Sequence, residues 1–392
     1  IIMDKKEFIL NYVENMKRIQ EIILDFLENN ATYEEFLRKF TISLNNEKIR
    51  ENRNDLRLVL RIISHIAAYH YRTKGFFDKI GEILLLLKDE ITSFYTQFEI
   101  YDIFSLCSPI LVFLYENKFI EPNSESFERL FRLDGDSYKY FIPQFKSFFD
   151  HLELEKVKKE YSQMDIDLES FKLKQKIGEN DSYICQLIRD DSVEEFIAFV
   201  NRSNLSLQNE KIKKSIFETN LDLIDDEEMT LIKYAAFFGS IQIFNYLRMS
   251  GVEMKPELWI FAIHSNKPEM IHLLEELHVE PEQRDFYECY FNAVEYHHNN
   301  IARYLHDNLM NIDDKFEKQF SEKLQFYNFS IFADEIKDDP DILTNVNKRK
   351  ILFYELCEND CYTLVEYLLN NVEIDVNARI ILNQYFFIQF FF

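Results

Sequence analysis

The chain has 392 residues, 47% hydrophobic and 29% charged, with 69 acidic against 45 basic side chains and a formal net charge of −24. That apolar fraction sustains packed domains and excludes disorder along the whole chain, while the acidic balance argues against nucleic acid and anionic membranes as partners. Five scattered cysteines (Cys107, Cys185, Cys289, Cys357 and Cys361) fit a reducing compartment, so the expected location is the cytosol, with the nucleus also compatible.

The opening Ile1-Ile2-Met3-Asp4-Lys5-Lys6 lacks the basic-then-apolar order of a secretory signal. No apolar run approaches the roughly 20 residues of a membrane-crossing helix; the longest lie at Ile110–Tyr115 and Tyr385–Phe392. Six glycines and seven prolines are too few turn residues for a strand-rich fold, and the expected class is all-α. Phe8–Leu27 predicts a first helix, because Phe8, Tyr12, Met16, Ile19, Ile23, Phe26 and Leu27 recur at steps of three and four. Leu56–Tyr69 repeats the pattern through Leu56, Val59, Leu60, Ile63, Ile66 and Ala67, and Phe76–Tyr95 and Ile110–Ile120 continue it. Residues 1–152 are therefore expected to form a helical N-terminal domain of packed pairs, with a turn at Asp134-Gly135-Asp136. Residues 153–180 are strongly charged, as in Glu155-Lys156-Val157-Lys158-Lys159-Glu160 and Lys172-Leu173-Lys174-Gln175-Lys176, and predict a linker or a connecting solvated helix. A nuclear-import signal is the competing reading of those lysines.

Self-similarity appears beyond residue 180. Thr230-Leu231-Ile232-Lys233-Tyr234-Ala235-Ala236-Phe237-Phe238-Gly239 is followed by the apolar stripe Ile243, Phe244, Tyr246 and Leu247, and then by Gly251. Thr230 can cap a first helix, Ala235 and Ala236 allow close packing, and Gly239 suits a tight turn into a second helix. The frame recurs at Ala262–Leu274 with Asn266 at the turn, and at Ala293–Leu305 with His297 there. Leu324–Ile336 and Leu356–Leu368 are fainter copies, and a degenerate one covers Cys185–Val200. The anchors 235, 262, 293, 324 and 356 are separated by 27, 31, 31 and 32 positions.

This pattern resembles the ankyrin repeat, whose period is about 33 residues. Leu231 replaces the usual proline and Lys233 the usual histidine, so the turn chemistry departs while the packing pattern is kept. Tyr234–Phe244, Leu258-Trp259 through His264, and Ile271–Glu276 look like a large protist-expanded family of ankyrin-type proteins. In that family the repeats carry a domain of unknown function behind a helical N-terminal region. The resemblance implies an α-solenoid over residues 181–378, a protein-binding scaffold, and nothing finer. Asp375-Val376-Asn377-Ala378 matches the hairpin wording before a further unit, but residues 379–392 do not restart the pattern. They read as an atypical or truncated end, or else as an apolar cap.

In the family, the two variable residues before each turn point to the concave face. Carried over, they are Phe237 and Phe238, His264 and Ser265, Glu295 and Tyr296, Phe326 and Tyr327, and Glu358 and Asn359. The first eight form the expected partner-binding stripe, since aromatic side chains are favoured at interface centres. Thr230, Ala235, Ala236, Gly239, Gly251, Ala262 and Ala293 are the expected framework. The competing reading is that Phe237 or Phe238 packs against the next repeat.

No phosphate loop, nucleotide-binding glycine fingerprint, zinc-protease or serine-hydrolase motif occurs, so no catalytic residue, metal site or cofactor is expected. Cys357 and Cys361 read as buried small hydrophobes, and His264, His272, His297, His298 and His306 as polar positions on solvated helices. The acidic run Asp222–Glu228 lacks the central glycine of a calcium loop and reads as a hairpin tip. The expected function is a non-catalytic interaction scaffold whose protein partners carry basic segments. A substrate-recognition subunit of a larger complex such as a ubiquitin ligase and a divergent helical enzyme are the alternatives, and oligomeric state stays open.

Overall fold

A computed structural model of the chain describes residues 2–123, 125–126, 128–129, 137–149, 167–208, 210–282, 286–310 and 324–374. The expected turn at Asp134-Gly135-Asp136, the lysines of residues 155–160, the hairpin wording at Asp375–Ala378 and the end at 379–392 all lie outside the described residues. Among the described residues there are 21 α-helices and no strand, so the all-α expectation holds. Lys211 and Thr230 form an isolated antiparallel bridge. No helix among these residues is long and apolar enough to cross a membrane.

The N-terminal half contains α1 (Ile2–Leu27), α2 (Tyr33–Asn46), α3 (Arg53–Tyr69), α4 (Phe76–Leu86), α5 (Lys88–Phe94), α6 (Gln97–Phe104), α7 (Ser108–Glu116) and α8 (Ile142–Phe149). Their starts follow local chemistry: Asn52 accepts from the backbone N–H groups of Asn54 and Asp55, and Thr96 and Glu99 form a reciprocal capping box. The single helix expected over Phe76–Tyr95 is divided at Leu87, and the next helix stops at Asn117 before Lys118 turns left-handed. Met16, Ile19, Ile23, Phe26 and Leu27 of the first stripe are buried as expected. Phe8 is not, and instead stacks on Tyr367 at 3.8 Å.

The region expected to be a linker or a connecting solvated helix contributes α9 (Leu168–Ile177), which packs against α7. Its residues Phe171 and Gln175 are buried, because Gln175 exchanges hydrogen bonds with Tyr140 and turns a polar side chain inward at no net loss of partners.

Helical hairpins follow. They are α10 (Tyr183–Arg189) with α11 (Val193–Ser203), α13 (Leu231–Phe238) with α14 (Ile241–Met249), α15 (Leu258–His264) with α16 (Pro268–Glu276), and α17 (Tyr287–Glu295) with α18 (Asn299–Asn308). First helices pack in series, α10 on α13, α13 on α15 and α15 on α17. The acidic run expected at a hairpin tip instead forms the short α12 (Leu221–Asp225), inside an excursion closed by the Lys211–Thr230 bridge.

Three further helices, α19 (Phe329–Asp338), α20 (Val346–Glu358) and α21 (Tyr362–Asn371), continue the chain. Apolar contacts divide the molecule differently from the expected boundaries. Leu324, Phe329, Phe332, Ile336, Leu352, Leu356, Leu364 and Leu368 share one hydrophobic core with the N-terminal helices, whereas residues 185–305 build a second. The reason is that α19 lies along α1 and α21 along α3, so the last helices find their apolar cover far back in the sequence. Polar contacts reinforce this closure: Asp55 accepts from both Tyr12 and Thr363 at 2.6 Å, and Asp360 pairs with Arg57 at 3.0 Å and Arg61 at 3.3 Å.

Candidate recognition surface

Each hairpin turn needs one residue with positive φ, and the sequence supplies it in several spellings. Asp191, Gly239, Asn266, His297, Tyr327 and Asp360 all adopt left-handed backbone, with φ between 48° and 63°. Gly239 and Asn266 suit that region, as do the aspartates, while His297 and Tyr327 occupy it at a steric cost. Tyr327 was expected just before the turn, as a variable residue, but the tyrosine itself makes the turn. A single hydrogen-bond pattern closes four of these turns. The N–H after the turn donates to the carbonyl five residues back in Ser192→Leu187, Ser240→Ala235, His298→Ala293 and Cys361→Leu356.

Carbonyls at the first-helix ends and turns also accept from side chains of the next hairpin. Ser240 donates to the Ile188 carbonyl, Lys267 to Gly239 at 2.8 Å, His298 Nε2 to His264 at 3.1 Å and Asn328 to Val294 at 2.8 Å. His264 Nδ1 lies 3.3 Å from the Phe237 carbonyl, and Asp191 accepts from the backbone N–H groups of Gln242 and Ile243, both at 3.0 Å. The turns are thus joined one to the next by polar side chains that complete helix termini. The histidines expected on solvated faces divide accordingly. His272 and His306 are exposed or half-exposed beside carboxylates, whereas His264, His297 and His298 are buried. No group of three metal-ligating side chains able to hold an ion occurs among the described residues.

The expected recognition stripe is largely covered. Phe237 is 1% exposed and its ring stacks at 3.5 Å on His264, itself 4% exposed; Ser265 is 1% exposed and Tyr296 is fully buried. As an open docking surface these four are corrected, and Phe237 packs against the next hairpin. Phe238, Glu295, Phe326 and Tyr327 are half-buried. For Tyr296, Phe326 and Tyr327 the cover comes from the end of α3. His65 stacks with His297 at 5.3 Å and borders Phe326 and Tyr327, while His70 Nδ1 donates to the Tyr296 carbonyl at 2.7 Å. The framework residues Ala235, Ala236, Ala262 and Ala293 are fully buried where first helices meet. Gly239 and Gly251 both have positive φ, and a Cβ on Gly239 would come within 2.6 Å of Lys267. Thr230 occupies the N-cap position of α13 without a side-chain capping bond, since its backbone is engaged in the bridge to Lys211. Of the cysteine pair, Cys361 is buried and Cys357 is exposed.

Burial sets the electrostatics of this seam. It pushes His65 and His298 well below the ordinary histidine value, and holds His264 and His297 at about 3, so all four are neutral near pH 7. Glu295 moves the other way, up to about 8, by burial and by the nearby Asp222 carboxylate. Asp222 also accepts from the Tyr296 hydroxyl at 3.0 Å, linking the excursion to the seam. Sequence reasoning missed His65 and His70. Their signals were the adjacent pair His297-His298 and the aromatic, histidine-rich end of α3, neither of which reveals its partner. Compared with models of protein families, with curated proteins and with solved structures, the chain matches none of them.

Proposed function

We propose that the protein is a non-catalytic, ankyrin-like interaction scaffold that binds basic protein segments along the outer face of its second helices. The carrying observation is the serial packing of hairpins, whose turn residues Gly239, Asn266, His297, Tyr327 and Asp360 recur at about 30-residue intervals, near the ankyrin period. Stacked hairpins of this sort build extended surfaces from many equivalent positions. With the first-helix face occupied by α3, the outer face is the one open to a partner. Glu194 and Glu195 on α11, Glu269 and Glu276 on α16, and Asp307 on α18 are exposed there, which fits the acidic balance of the whole chain.

The test is fluorescence anisotropy with a panel of lysine- and arginine-rich peptides against the intact chain. Binding should weaken as salt rises and fall at least about tenfold when Glu194, Glu195, Glu269 and Glu276 are changed to lysine. Unchanged binding in that variant refutes the outer-face reading.

A further inference from the structure

The seam between α3 and the hairpins places histidines on both sides. His65 on α3 stacks on His297 in the turn between α17 and α18, with ring centroids 5.3 Å apart, and His70 lies against His298 at 5.0 Å. Tyr69, between them on α3, packs against both hydrophobic cores. The Nδ1 atoms of His65, His297 and His298 are buried without a hydrogen-bond partner, so a proton added there would enter an apolar contact with nothing to receive it.

We propose that the His65–His297 stack, together with His298 against α3, forms a proton-operated latch, closed when these rings are neutral and released when protonation places charge on them in the seam. Release uncovers Tyr296, Phe326 and Tyr327, the part of the face that α3 closes in this structure. Only the use of that face by a partner rests on the scaffold reading; the opening itself does not.

The surrounding charges decide the direction. From the loop after α1, the Glu28 carboxylate faces His70 Nε2 at 3.2 Å. No carboxylate hydrogen-bonds His65, His297 or His298 among the described residues. Arg72, following α3, and His70 add positive potential at His264. Arg57, Arg61 and Tyr69 on α3 and Tyr71 after it line one side, and Tyr296, Tyr327, the Asp222–Glu295 pair and Asp360 the other. Glu295, half-buried and raised to about 8, stays protonated through the acid range and does not neutralise a new cation. The sign follows from linkage: an open seam binds more protons below the ordinary histidine value of 6.5, so acid favours opening. Each histidine contributes up to about tenfold per pH unit in that window.

Hydrogen exchange of the intact chain between pH 7.5 and 4.5, corrected for intrinsic rates and followed alongside far-ultraviolet circular dichroism, tests this. The amides of His70, Tyr71, Tyr296–His298 and Tyr327 should lose protection at least about tenfold before helicity changes. The variant His65→Phe with His298→Gln keeps a ring and an amide donor but cannot titrate, and should move that loss to lower pH. His272→Gln with His306→Gln, at the surface, should leave it where it is. Seam protection that persists until the helices melt overturns the latch in the wild-type chain alone, even where the seam variant does not fold. A seam variant that folds and opens at the wild-type pH overturns it as well.

Discussion

The two cores of this molecule are assembled by different means. Around α1 and α3, helices from opposite ends of the chain are joined by large apolar side chains, and the contacts span more than 300 residues, as from Asp55 to Thr363. In the hairpin row, by contrast, contacts are between neighbours. Alanines bring first helices together, and a chain of Ser240, Lys267, His298 and Asn328 passes hydrogen bonds from one turn to the previous one. The lesson is that a row built from neighbours carries its signature in the local sequence, whereas a core built by closure does not.

Several outcomes would break or sharpen that contrast. The largest concerns core truncation. Phe329→Ala and Trp259→Ala should each cost about 3–5 kcal/mol, since both side chains are buried, and Trp259 also donates to the Val279 carbonyl at 2.6 Å. Hydrogen exchange should show Phe329→Ala loosening α1 and α3, while Trp259→Ala loosens α15 and its neighbours. Identical exchange maps would mean that the two cores are one cooperative unit.

Next in size is the turn residue. Gly239→Ala combines left-handed backbone with a Cβ 2.6 Å from Lys267, and should cost about 2–3 kcal/mol in a urea titration. Asn266→Gly at the equivalent turn should be neutral or stabilising by up to about 1 kcal/mol. A large loss at Asn266 would show that its side chain, and not the backbone geometry, holds the turn.

A smaller effect is the pH profile of global stability. The histidines lower stability as pH falls below 6.5, because the unfolded chain takes up protons that the folded chain refuses. Glu295 lowers it as pH rises from 4.5 through about 8, because the folded chain keeps a proton that the unfolded chain releases. Four histidines against several raised carboxyls, Glu295 and Glu179 among them, put the maximum at about pH 6.5–7, measurable as the highest urea midpoint. Glu295→Gln should flatten the fall between the maximum and about pH 8 and steepen the rise between 4.5 and the maximum. Smallest of all, Glu35→Ala removes an exposed pair with Lys39 on α2 and should leave the urea midpoint unchanged.

Local pattern therefore carried much of this protein. The three- and four-residue steps in Phe8–Leu27 and Leu56–Tyr69, the scarcity of glycine, and the turn positions Gly239, Asn266 and His297 follow from residue spacing, because helices and their turns are closed by bonds between near neighbours. Tertiary structure decided the rest. It set which side of the hairpins is covered, why Leu324–Leu368 belongs with the N-terminal core, and why His297 and His298 are buried rather than solvated. Those outcomes depend on which apolar faces meet across hundreds of residues, and a hydrophobic stripe states that it needs cover without naming the element that supplies it.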